Sequence, residues 1–106
     1  MVYSISDLKN LIIPIIKKYK AENAILFGSH ARNQATSDSD IDLIVIGGNT
    51  FDPTDIFAIA EDLYEQSGKK VDVYEINEIN ENTPLYFSIM KEGIRLEWII
   101  KQIKSV

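Results

Sequence analysis

Gly28-Ser29-His30-Ala31-Arg32-Asn33-Gln34-Ala35-Thr36-Ser37-Asp38-Ser39-Asp40-Ile41-Asp42-Leu43 is the stretch on which the reading of this chain turns. It leaves one apolar segment, Ala24-Ile25-Leu26-Phe27, crosses a Gly-Ser turn and a polar connection, and enters a second, Ile41-Asp42-Leu43-Ile44-Val45-Ile46. The second segment reads as a buried strand, because both alternating sets of side chains are apolar after Asp42. With a period of two, Asp40 and Asp42 project from the same face. Two like charges there repel, so at least one is driven toward protonation unless a cation lies between them. A divalent metal held by oxygen ligands is the simplest remedy.

Upstream, Ser4 to about Lys20 has the spacing of an amphipathic helix. Ser4 and Asp7 fit a capping box, and Ile5, Leu8, Ile12, Ile15, Ile16 and Tyr19 recur at helical intervals. Pro14 removes a donor and is expected to kink or split it. Downstream of the Gly-Ser pair, Ser29 to about Ala35 predicts a brief helical turn and Thr36–Ser39 a loop, with Gly47-Gly48 closing the carboxylate strand. Asp52 then reads as a helix cap with Pro53 at the first helical position. Ile56, Ala60, Leu63 and Tyr64 form that helix's apolar stripe, and Gly68 stops it.

Val71-Asp72-Val73-Tyr74-Glu75-Ile76 is a third strand, and Thr83-Pro84 opens a third helix ended by Gly93. Ile94 to Trp98 alternates as an edge strand, with a helical alternative open through Val106. This order predicts an α/β (α+β) architecture, a small mixed β-sheet with helices packed on it.

A chain of 106 residues predicts one domain spanning residues 1–106. The net charge of −5 comes with no basic run, which argues against direct nucleic-acid binding, although an acidic protein still takes a nucleotide through magnesium. With no cysteine and one histidine, thiolate and histidine-based zinc sites are excluded. No leader-like pattern and no membrane-length apolar run is present, so a cytoplasmic location without membrane contact is expected.

Asp72 is a third carboxylate in an apolar strand. Laid beside the strand from Asp40, it would bring three carboxylates to one patch, enough with water and phosphate oxygens for one or two octahedral magnesium sites. Such a cluster suits nucleotidyl transfer. Gly28-Ser29 supplies the other half, since a glycine at a strand-to-helix turn lets backbone N–H groups and the Ser29 hydroxyl approach phosphate. A Gly-Ser pair alone is usually a turn, and alternate aspartates alone are usually solvated or capping. It is their combination between two apolar strands that carries the reading.

Gly28-Ser29, ten intervening residues and Asp40-Ile41-Asp42 resemble the signature of the DNA polymerase β-like nucleotidyltransferase superfamily. Gly-Ser-His-Ala-Arg followed by Ser37-Asp38-Ser39-Asp40-Ile41-Asp42-Leu43 is similar to its minimal nucleotidyltransferases, the MNT proteins, over nearly the whole chain. The resemblance implies Asp40 and Asp42 as metal ligands for Mg²⁺ or Mn²⁺, Asp72 as the third catalytic carboxylate and a further ligand, and Gly28 and Ser29 as contacts to the phosphates of ATP. It also implies a partner, a HEPN-type toxin in a two-gene toxin–antitoxin module, with AMP transferred from ATP to a tyrosine of that toxin. The family often has glycine after the Ala-Arg pair. Here Asn33 stands there, and asparagine tolerates the left-handed backbone that such a turn needs.

Alternatives stand beside these readings. Asp38, Asp40 and Asp42 mimic the opening of a calcium loop, but Leu43 and Asn49 occupy its required glycine and glutamate positions, so that loop is rejected. Asp38 is expected to cap or brace the turn. Arg32 either touches phosphate or forms an ion pair. His30 is read as a surface residue of the short helix, and Lys69-Lys70 as solvated strand flanks. Tyr64, Tyr74, Tyr86, Phe87 and Trp98 are first of all core or interface aromatics, with Tyr86 and Phe87 exposed if the third helix is a docking surface.

The alternative to catalysis is a module that neutralises its toxin by occlusion. Transfer to a small molecule such as an antibiotic is disfavoured, because larger relatives use an added domain to hold base and acceptor. A partner or a second copy, in a hetero- or homo-oligomer, is expected to complete the pocket.

Overall fold

A computed structural model of the chain describes residues 2–96; the stretch from Glu97 through Trp98 to Val106 lies outside the described residues. The Asp7 N–H donates to the Ser4 hydroxyl at 3.0 Å and the Ser4 N–H returns a bond to the Asp7 carboxylate at 3.1 Å. This capping box starts α1, Ile5–Lys18. The helix is not split at Pro14. Pro14 and Asn10, whose carbonyl loses its partner, are both exposed, so the freed acceptor is open to solvent. Leu8, Ile12, Ile15 and Ile16 are its buried side, whereas Ile5 is exposed.

Four strands follow: β1, Asn23–Phe27; β2, Ile41–Ile46; β3, Val71–Glu75; and β4, Ile94–Arg95. Their spatial order is β3-β2-β1-β4. β1 is antiparallel to both β2 and β4, while β2 and β3 are parallel. A mixed sheet is the result, as the sequence predicts. The parallel pair requires a crossover, which α3, Asp55–Ser67, provides.

α3 begins later than Asp52-Pro53 suggests. The Asp52 carboxylate accepts from the Thr54 N–H at 3.0 Å and the Thr54 hydroxyl at 2.7 Å, so it braces a turn ahead of the helix. Its buried positions are Ile56, Ile59 and Leu63; Ala60 is half-buried and Tyr64 exposed, because the helix is rotated from the expected stripe. Gly68, at φ +72°, ends it in the left-handed conformation.

A 3-10 turn, Ile76–Glu78, leads from β3 toward α4, Pro84–Glu92, which Thr83 caps through its hydroxyl. α1 and α3 cover one face of the sheet, where Leu8, Ile12 and Ile16 meet Leu26, Leu43, Val45, Ile59 and Leu63. α4 covers part of the other, where Ile89 meets Ile25 and Ile44. Leu43, Ile44 and Val45 are all buried, so β2 is apolar on both sides because both sides are covered. No helix among the described residues is long and apolar enough to cross a membrane.

Candidate active site

The parallel register places Asp42 opposite Asp72, and the antiparallel register places Phe27 opposite Asp42 on the other flank. Asp42 therefore stands in the middle of the sheet with Asp72 beside it on the edge strand. Asp40 lies just ahead of β2 and is exposed, while Asp42 and Asp72 are half-buried. Burial pushes the Asp42 carboxyl above its ordinary range, and the charges of Asp72 and Asp40 push it further; His30 and Arg32 pull the other way. Asp42 thus feels both of the other carboxylates. The Lys70 ammonium lies 3.7 Å from Asp72, an exposed pair that leaves most of the negative charge uncompensated.

Gly28 opens α2, the four-residue turn Gly28–Ala31, at φ +75°. A Cβ at Gly28 would overlap the Asp42 carboxylate, so glycine is needed for both the backbone conformation and the close approach. The turn and the carboxylate strand are fitted together at this point. Ser29 is half-buried, its carbonyl accepts from the Gln34 N–H at 2.8 Å, and its hydroxyl has no hydrogen-bond partner among the described residues. Asn33 adopts φ +57°, the left-handed turn expected of it.

His30 is buried, not a surface residue: it is 4% exposed and neither ring nitrogen is hydrogen-bonded. Burial first, then the Lys69 charge, lowers its pKa, so the ring is neutral near pH 7. Periodicity could not place it, because a four-residue turn has no defined outer face. Lys69 is no simple solvated flank either, since its ammonium donates to the Ser37 carbonyl at 2.7 Å and ties the 36–39 loop to the approach of β3. That loop is braced by Ser39, whose hydroxyl accepts from the Thr36 N–H at 2.8 Å, rather than by the expected Asp38 carboxylate. Arg32 reaches α4, 3.6 Å from the Glu92 carboxylate.

Among the described residues no group of three or more histidine, cysteine, aspartate or glutamate side chains is placed to hold a metal ion. In donor type the carboxylates suit a hard cation. Asp40, Asp42 and Asp72 offer oxygen ligands only, and the raised Asp42 pKa is the electrostatic cost a cation would relieve. Of the residues singled out from the sequence, the structure sets Asp42 beside Asp72 in register and Gly28 against Asp42, with Ser29 following Gly28 in α2 and Asp40 just ahead of β2.

Residues 10–97 match the family described as Polymerase beta, Nucleotidyltransferase. A Methanocaldococcus jannaschii protein named as a candidate protein adenylyltransferase, MJ0435, is 39% identical over 77 residues, which cover 73% of this chain and 83% of that protein. In structure, the chain is similar to one in a crystal structure of a toxin–antitoxin with AMP-PNP, with a TM-score of 0.72 and 24% identity, covering 84% of this chain and 72% of that one. It is also similar to a chain in the structure of a tri-AMPylated Shewanella oneidensis HEPN toxin in complex with MNT antitoxin. There the TM-score is 0.66 at 21% identity, and the match covers 91% and 74% of the two chains.

Proposed function

This chain belongs to the polymerase β nucleotidyltransferase family, and on that premise we propose that it transfers AMP from ATP to a tyrosine hydroxyl of a HEPN-type toxin. The observation that carries the proposal is the register pairing of Asp42 with Asp72, with Gly28 directly against Asp42. Nucleotide-binding turn and carboxylates are then one site. The relatives support the chemistry, one being named as a candidate protein adenylyltransferase and another structure containing an AMPylated HEPN toxin with its MNT antitoxin.

Asp40, Asp42 and Asp72 are assigned as the ligands of Mg²⁺ or Mn²⁺. When bound, the metal supplies charge neutralisation of the triphosphate and a lowered pKa for the attacking hydroxyl. The unpartnered Ser29 hydroxyl and the N–H groups of the α2 turn are assigned to phosphate oxygens. In the transfer, the acceptor hydroxyl gives its proton to the Asp72 carboxylate, its oxygen bonds to the α-phosphorus, the bond from that phosphorus to the bridging oxygen breaks, and pyrophosphate leaves. Asp72 sits on the edge strand, the side open to an incoming acceptor.

Incubation with ATP, Mg²⁺ and the HEPN partner is expected to add one or more AMP masses to the partner by intact-mass spectrometry, with Asp72→Asn abolishing the addition. An unmodified partner silenced by stoichiometric binding would instead establish occlusion. The exposed Leu85, Phe87 and Met90 of α4 are the surface that reading would use.

A further inference from the structure

The sheet face under α4 and α4 itself enclose a cleft of about 300 Å³ that opens beside Asp42. Ile44 and Ile89, almost fully buried, form its floor, and Phe27 and Ile79 flank it. Leu85 and Tyr74 stand half-exposed at the rim. Asp42 is the only charged side chain among the described residues that line it. We propose that this cleft is the nucleobase subsite, taking the uncharged ring of the nucleotide whose phosphates meet the Gly28-Ser29 turn. The inference rests on the nucleotidyl-transfer reading and adds what that reading lacks, a place for the base.

Three observations converge on it. First, the wall chemistry rejects the triphosphate, which would lose its hydration against Phe27, Ile44, Ile79, Leu85 and Ile89. A flat uncharged ring gains apolar burial and stacking there. Second, the cleft, at the lower end of the about 300 to 1,000 Å³ range of ligand pockets, has room for a flat ring system. Third, the cleft is continuous with the site. Asp42 lines both, and Phe27, a flank of the cleft, is bonded to Gly28, the first residue of the phosphate turn. A base seated on Ile44 and Ile89 therefore leaves its phosphates at the end of the sheet where Gly28, Ser29 and the carboxylates gather.

Calorimetry separates the base from the phosphates. The full chain and its Leu85→Ala and Tyr74→Ala variants are titrated with AMP-PNP–Mg²⁺ and, separately, with tripolyphosphate–Mg²⁺, which has no base. Both positions are half-exposed, so the variants should fold, and their melting temperatures verify it. Loss of ring contacts should weaken AMP-PNP about tenfold and leave tripolyphosphate unchanged. Unchanged AMP-PNP affinity in both folded variants overturns the subsite, and if AMP transfer to the partner slows at the same time, the cleft belongs to the acceptor. Equal weakening of both probes, or a wild-type chain that binds AMP-PNP no better than tripolyphosphate, overturns it too. A wild-type chain that binds neither probe refutes the nucleotidyl-transfer reading itself, and the subsite with it.

Discussion

Gly28→Ala measures how closely the phosphate turn is fitted to the carboxylate strand. Gly28 is at φ +75° and faces Asp42 with no room for a Cβ. The left-handed backbone costs a non-glycine residue about 1–2 kcal/mol, and forcing a methyl group into packed space costs about 1–3 kcal/mol. Together they predict a loss of roughly 2–5 kcal/mol. At about 4–8 °C per kcal/mol for a small domain, the melting midpoint should fall by on the order of 10 °C or more.

Urea denaturation of wild type, Gly28→Ala, Asp42→Ala and the double variant separates the two contributions. The backbone cost persists when Asp42 is truncated, but the overlap cost disappears. The cycle should therefore show a favourable coupling of about 1–3 kcal/mol between the two substitutions. A coupling below about 0.5 kcal/mol, the range of independent sites, would mean that Gly28 and Asp42 do not share this space, and the reasoning would be refuted.

The raised Asp42 pKa has a definite consequence for stability. The folded state holds that proton more tightly than the unfolded chain, so the stability it brings is fully present below the ordinary value of 3.8 and is lost as pH rises through the folded value. Asp42→Asn stays neutral throughout, so without divalent metal it should melt above wild type at pH 7 and lose that advantage as pH falls below about 4. Thermal scans from pH 7 to pH 3 check this, and an advantage that grows on acidification contradicts it. Ser29→Ala should leave the melting temperature nearly unchanged while weakening ATP–Mg²⁺ binding by about 1.5–3 kcal/mol, the range for a hydrogen bond to a charged oxygen. A sharp drop in melting temperature with ATP binding intact would make Ser29 a purely structural residue.

What the sequence displayed and what it hid follow from range. β2 was readable to its ends, Ile41–Ile46, because a strand covered on both faces is apolar in both alternating sets. The start of α1 and both ends of α4 were readable from Ser4, Thr83, Pro84 and Gly93, because caps are local hydrogen bonds. Asp52 misled for the same reason. Its carboxylate bonds to Thr54 as a cap would, but in a turn that precedes the helix. The burial of His30 and the reach of Lys69 to Ser37 depend on which loop lies over which strand end, and no spacing encodes that.

The cleft was invisible for a stronger reason. Its lining comes from β1, β2, β3, α4 and the connection before α4, and apart from Asp42 and Tyr74 each contributor taken singly is an ordinary apolar residue. Convergence of the carboxylates lies between these extremes. Asp40 and Asp42 were legible as a pair, but Asp72 joins them only because the α3 crossover makes β3 parallel to β2 with Val71 opposite Ile41. A slip of one residue in that register would turn Asp72 to the α1 and α3 face. There Val71, buried at 7% exposure, now packs in the main core, and a carboxylate could not take its place without a partner. The apolar Val71 thus fixes the register that sets Asp72 beside Asp42, and the geometry of the site is inherited from the packing of the core.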